Sequence, residues 1–161
     1  MALRFLVCGL ILVSVAACDG APRTLTSSRD LQKEVTAADA EEGAAPASPA
    51  TIEVSAKFDR TPVQGKGNVG VVYYRVDIAN PTATGLSVGA VYLQFEDDME
   101  IAIRKCRLKG TDVSPFGYTP IRVEPGGVFT ASSSCEFPIS QMDGVREIVS
   151  LVDFSFMVPR D

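Results

Sequence analysis

The chain has 161 residues, of which 15 are Lys or Arg and 20 are Asp or Glu, for a net charge of −5. That length suits one domain with an appended segment, and the acidic balance offers no basic cluster to hold nucleic acid, which is not expected among its partners. There is no His and no Trp, which removes Ser-His and Cys-His nucleophiles, His-ligated metals and the commonest general base at neutral pH.

The leading stretch MALRFLVCGLILVSVAAC carries one positive side chain, Arg4, followed by an apolar run from Phe5 to Ala17. The run is shorter than the about 20 residues that span a bilayer. A charged start, a short apolar stretch and a small-residue end form the pattern of an export signal that is removed, here over residues 1–17. Its last residues, Val15, Ala16 and Ala17, together with Cys18, resemble the lipobox of bacterial lipoprotein precursors. The resemblance implies cleavage after Ala17, acylation of Cys18 with palmitate-type chains, and a membrane-anchored protein of the bacterial envelope facing the periplasm. Two acyl chains anchor stably where one binds only marginally. Asp19 stands where enteric lipoproteins carry a signal for retention in the inner membrane, which favours that membrane and leaves the outer one open.

From Asp19 to Ala50 the chain is rich in Ala, Ser, Thr, Pro and acids and has no aromatic residue. Such a composition buries no core, so residues 18–50 are expected to be the lipidated Cys plus a disordered tether. A marginal helix is expected at most over 27–42, with Ser27 and Asp30 in a capping arrangement. A flexible tether of that length has an r.m.s. reach on the order of 30 Å, enough to hold a domain clear of the headgroups.

At Thr51 the chemistry changes. Ile52, Val54, Ala56 and Phe58 alternate with Glu53, Ser55 and Lys57, the period of a strand with one buried face. A Gly- and Pro-containing loop over 60–68 precedes a β-branched and aromatic run over 69–78, which Asn80-Pro81 closes because Pro cannot continue a ladder. Strands are expected at 86–95 and 101–108, joined by the acidic turn Glu96-Asp97-Asp98-Met99-Glu100. A loop over 110–120 leads to a short edge strand at 121–123 and the turn Glu124-Pro125-Gly126-Gly127. The next strand, 128–137, sets Phe129, Ala131, Ser133, Cys135 and Phe137 on one parity. One helical turn within 140–144 precedes a last strand over 148–158.

Six or seven short strands between Pro and Gly turns, with no long helix, specify an all-β fold. The expected architecture is an antiparallel immunoglobulin-like β-sandwich over 51–161. The order of a strand, Asn-Pro-Thr, Tyr92-Leu93-Gln94-Phe95, the acidic turn, and Glu-Pro-Gly-Gly before a strand ending in Phe137 resembles small immunoglobulin-like bacterial envelope domains of the FxLYD type. This resemblance covers about residues 69–137 and implies binding or scaffolding, with no catalytic residues to carry over. The structural alternative is an eight-stranded barrel that holds a lipid.

With Cys8 removed and Cys18 acylated, Cys106 and Cys135 remain, and an even pair in an exported chain reads as one disulfide. A redox or metal site is the rival reading, but a metal needs more than two soft ligands. Gly65, Gly67 and Gly70 satisfy G-x-G-x-x-G, yet a β run follows at once where the phosphate-binding motif needs a helix, so this is an inter-strand loop.

The acidic turn and the bases after it are the candidate contact residues: Glu96, Asp97, Asp98, Glu100, Arg104, Lys105 and Arg107. They are either edge charges that keep other strands away, a Ca²⁺ site at the tip, or a docking strip for a partner. For catalysis the remaining pattern is a pair of carboxylates, Asp77 or Asp153 with the acidic turn. No catalytic residue, cofactor or resident metal is expected, and the chain is read as a non-enzyme. The expected function is protein-protein contact or assembly within an envelope complex, with small-molecule or lipid binding as the alternative. Mass spectrometry of the mature N-terminus checks the anchor: the expected product begins at an acylated Cys18, and an unmodified Cys18 contradicts it.

Overall fold

A computed structural model describes residues 22–31, 48–108, 113–114, 117–118 and 120–157. The leader, Cys18, Asp19, residues 32–47 and Val158 lie outside them. The elements are β1 (Arg23–Leu31), β2 (Ala50–Asp59), β3 (Val69–Ala79), β4 (Leu86–Glu96), β5 (Ala102–Arg107), β6 (Val113–Ser114), β7 (Gly117–Tyr118), β8 (Ile121–Val123), β9 (Val128–Pro138), α1 (Ile139–Met142) and β10 (Glu147–Phe156). One sheet has the order β1-β2-β3-β9. The other has β10-β4-β5, with β8 pairing β4 beside β5, and β6 pairs β7 separately. All the pairings are antiparallel. The chain crosses between sheets from β3 to β4, returns at β9 and crosses again to β10, the Greek-key route of an immunoglobulin-like sandwich.

Residues 23–31 correct the expected tether. They form a nine-residue ladder with β2, from Arg23 opposite Phe58 to Leu31 opposite Ala50, and no helix runs through Ser27 or Asp30. The sandwich therefore begins by Arg23, not at Thr51, and has eight strands in its two sheets. A ladder supplies the backbone hydrogen bonds of an edge strand whatever its side chains. Leu25 packs against the core and Leu31 is buried, while the other face is solvated, so a polar composition suffices.

The core is built from alternate residues. Ile52, Val54, Ala56 and Phe58 of β2 face Val72, Tyr74, Val76 and Ile78 of β3, all buried. In β4 the buried parity changes, with Leu86 and Val88 inside, then Val91, Leu93 and Phe95. The switch is a bulge. Val88 pairs Phe154 and Val91 pairs Val152, so Gly89 and Ala90 together oppose Asp153. One extra residue returns the apolar side chains to the interior on both sides.

Phe58, Phe95 and Phe137, from three strands and both sheets, pack edge to face with ring centroids 5.6 to 6.2 Å apart, the geometry that aromatic quadrupoles prefer. Cys106 of β5 and Cys135 of β9 form a disulfide across the sheets, Cα to Cα 6.1 Å. On the same flank the Tyr74 hydroxyl of β3 donates to the Arg107 carbonyl of β5 at 2.6 Å. On the opposite flank, Arg29 donates to the Ser150 carbonyl at 2.8 Å, and Arg23 donates to the carbonyls of Met142 and Val145.

Asn80 is fully buried at the end where β3 leaves its sheet. Its amide donates to the carbonyls of Thr84 and Val123 at 2.8 and 3.0 Å, and its oxygen accepts from Thr82. Its backbone pairs with Gly126 and Gly127, which ties the Asn-Pro-Thr loop to the Glu-Pro-Gly-Gly turn. Asn80→Ala should destabilise by about 2 to 3 kcal/mol, the penalty of buried partners left unpaired, as read by chemical denaturation; a change under about 0.5 kcal/mol contradicts the assignment.

Burial pushes the Tyr74 hydroxyl above its ordinary value of 10.0. The folded state thus favours the neutral phenol, a contribution that is complete below about pH 10 and lost as pH rises above it. Absorbance titration of phenolate should show a late ionisation, accompanied by loss of stability, that Tyr74→Phe lacks.

Candidate functional site

The β4–β5 hairpin ends in a tip that one carboxylate organises. Oδ1 of Asp97 accepts the backbone N–H groups of Met99 at 2.9 Å and Ile101 at 2.8 Å, the self-capping that makes Asp a turn residue. The Asp97 N–H donates to the Ile101 carbonyl at 3.1 Å, and Glu100 adopts a left-handed φ of 61°, which a non-glycine residue takes only where surrounding bonds enforce it. The tip is a fixed shape.

The four acids read together in the sequence have different duties. Glu96 is 7% exposed, and its carboxylate accepts the Gln94 amide at 2.5 Å. Asp97 is spent on the turn. Of the four, only Asp98 and Glu100 are exposed, and between and beside them are Met99, 71% exposed, and Ile101, 56% exposed. Sequence reasoning missed these two. The available signal was their place in the tip of a hairpin, where apolar side chains have no core to enter.

The bases lie along β5. Lys105 Nζ sits 4.6 Å from the centroid of the Tyr92 ring and Arg107 Cζ 5.9 Å from it, so a cation–π clamp holds both on the outer face of β4 and β5. Arg104 is exposed. The acids therefore form a projecting point and the bases a strip behind it.

Neither carboxylate considered for acid–base work with the acidic turn lies beside it: Asp77 is three residues before Asn80 at the far end of β3, and Asp153 opposes Gly89 and Ala90, at least six residues before Glu96 in β4. Asp77 is in the β1-β2-β3-β9 sheet, bonded to Arg75 at 2.8 and 3.0 Å and accepting from the Thr130 hydroxyl. The Arg75 guanidinium, helped by Thr130, holds its carboxyl below the usual carboxylate range, so it keeps no proton to donate near neutral pH. Asp153 is in the other sheet, opposite the bulge. Among the described residues no three His, Cys, Asp or Glu side chains form a group that could hold a metal ion. The G-x-G-x-x-G stretch runs from the β2–β3 loop into the start of β3. A Cβ at Gly70 would lie 2.4 Å from the Asp59 carbonyl oxygen, so this glycine serves a close backbone approach.

No family model matches the chain, and no curated protein does. Among solved structures, it is similar to a Bordetella pertussis protein given the name ApaA, at 18% identity and a TM-score of 0.41, covering 72% of this chain and 100% of that one. It is also similar to the Northeast Structural Genomics Consortium target SoR45, at 9% identity and a TM-score of 0.39, covering 63% of this chain and 78% of that one. Neither name states a ligand or an activity.

If Asp97 fixes the tip, Asp97→Ala should cost about 1 kcal/mol of stability and speed hydrogen exchange at the Met99 and Ile101 amides, while Asp97→Asn, which keeps the oxygen, should retain most of both. Unchanged exchange in Asp97→Ala contradicts the role.

Proposed function

We propose that the protein is a lipid-anchored module of the bacterial envelope whose β4–β5 tip docks a partner protein. The observation that carries the reading is the exposure of Met99 and Ile101 on a tip fixed by Asp97. A preorganised loop loses little entropy on binding, and apolar side chains ringed by polar ones form the core-and-rim arrangement of a protein contact. The complementary surface is an apolar pocket with basic groups at its rim, set to receive Asp98 and Glu100. The lipobox-like residues Val15 to Cys18 support the anchor, and the disulfide suits an oxidising compartment.

A second reading, small-molecule binding, is favoured by a depression of about 390 Å³ on the outer face beside the bulge, lined by Ser87, Tyr92, Asp153 and Phe154 among others. Its volume is within the range of ligand sites. The sandwich interior at the hairpin end is filled by the three phenylalanine rings. A small molecule retained through purification and seen in native mass spectra would favour this reading.

The test of the first reading is capture from envelope membranes with the full chain as bait. The double variant Met99→Ser, Ile101→Ser should lose at least tenfold of the specific partner, since hot-spot side chains each contribute about 1 to 2 kcal/mol or more, with an unchanged melting temperature. Full retention of the partner contradicts the proposal.

A further inference from the structure

The ladders fix which end of the sandwich the chain enters. Arg23 starts β1 opposite Phe58, near the end of β2. Phe58 pairs Val72 early in β3, and Val72 pairs Cys135 late in β9. From there α1 leads to Glu147, which opens β10 opposite Glu96, the last residue of β4. The Arg23 guanidinium donates to Met142 and Val145 at this same end. The tip with Met99 and Ile101 and the start of β1 therefore share one end of the molecule. The Asn80 network and Val128 are at the other, about 35 Å away along the eleven residues of β3.

Only Asp19, Gly20, Ala21 and Pro22 separate Cys18 from Arg23. Five Cα steps reach no more than about 17 Å. An anchor at Cys18 thus holds the hairpin end of the sandwich, and not the Asn80 end, against the headgroup region.

We propose that the partner of the tip is an integral membrane protein, met where it emerges from the bilayer. This rests on the docking reading above and on acylation of Cys18. The bilayer itself is the less suitable occupant. Two apolar side chains offer little area for insertion, and Asp98 and Glu100 between and beside them are repelled by anionic headgroups, which attract basic segments instead. The same acids suit a protein surface with a basic rim.

The test is photocrosslinking in cells expressing the full chain with p-benzoylphenylalanine at position 99 and, as a control for the far end, at position 128. The expected result is an adduct from position 99, absent from position 128, whose second component carries membrane-spanning segments. Inserting about 20 Gly and Ser residues between Gly20 and Ala21 should lower that adduct roughly tenfold, because effective concentration falls as about the −3/2 power of linker length. An adduct with a soluble periplasmic protein, or one unaffected by the insertion, overturns the membrane-protein assignment and leaves docking by the tip standing. An adduct with lipid alone, or no adduct, overturns both.

Discussion

A two-sheet sandwich has two open flanks, and this fold depends on cross-sheet links that close each of them. On one flank the disulfide joins β5 to β9, and the Tyr74 hydroxyl reaches from β3 to the carbonyl of Arg107 on β5. On the other, β1 lies beside β10, and Arg23 and Arg29 donate across the gap to backbone carbonyls. Closing a loop of about 30 residues contributes roughly 3 to 4 kcal/mol on the chain-entropy account. Each hydrogen bond from a charged donor adds about 1.5 to 3 kcal/mol where it is sheltered. Phe58, Phe95 and Phe137 pack between these two flanks.

How far the sequence spoke depended on how local each signal was. The alternation in β2, β3 and β9 could be read residue by residue, because a period of two with β-branched and aromatic side chains is a local property. The switch of parity in β4 hides a bulge that Gly89 alone hinted at. β1 was illegible for a physical reason: Thr24, Thr26 and Ser28 look like linker residues, and what makes them a strand is pairing with a segment some twenty residues on. The acidic turn was visible as charge, but charge does not say which carboxylates are consumed internally. Glu96 turns inward to Gln94 and Asp97 to its own backbone, and that sorting is what leaves Met99 and Ile101 as the prominent groups.

The position of β1 changes the functional reading as much as the fold. A tether of some 30 residues would let the domain search a wide volume, with any surface free to meet a partner. With the proposed anchor on Cys18, a link of four residues would make the ends of the sandwich unequal, since one would be confined near the membrane and the other would project away. The exposed apolar groups of the hairpin are at the end that such an anchor would confine, where their effective concentration toward a membrane-bound surface would be high. In this proposal one edge strand couples fold, anchor and contact surface.

Hydrogen exchange of the full chain tests this coupling most directly. In β1 the amides that point to β2 should be protected to nearly the same degree as those of β2 itself, in an alternating pattern from Thr24 to Leu31. Exchange of all these amides at the rate of an unstructured peptide would contradict the account, because the sandwich would then begin at β2 and the short link to Cys18 would not exist.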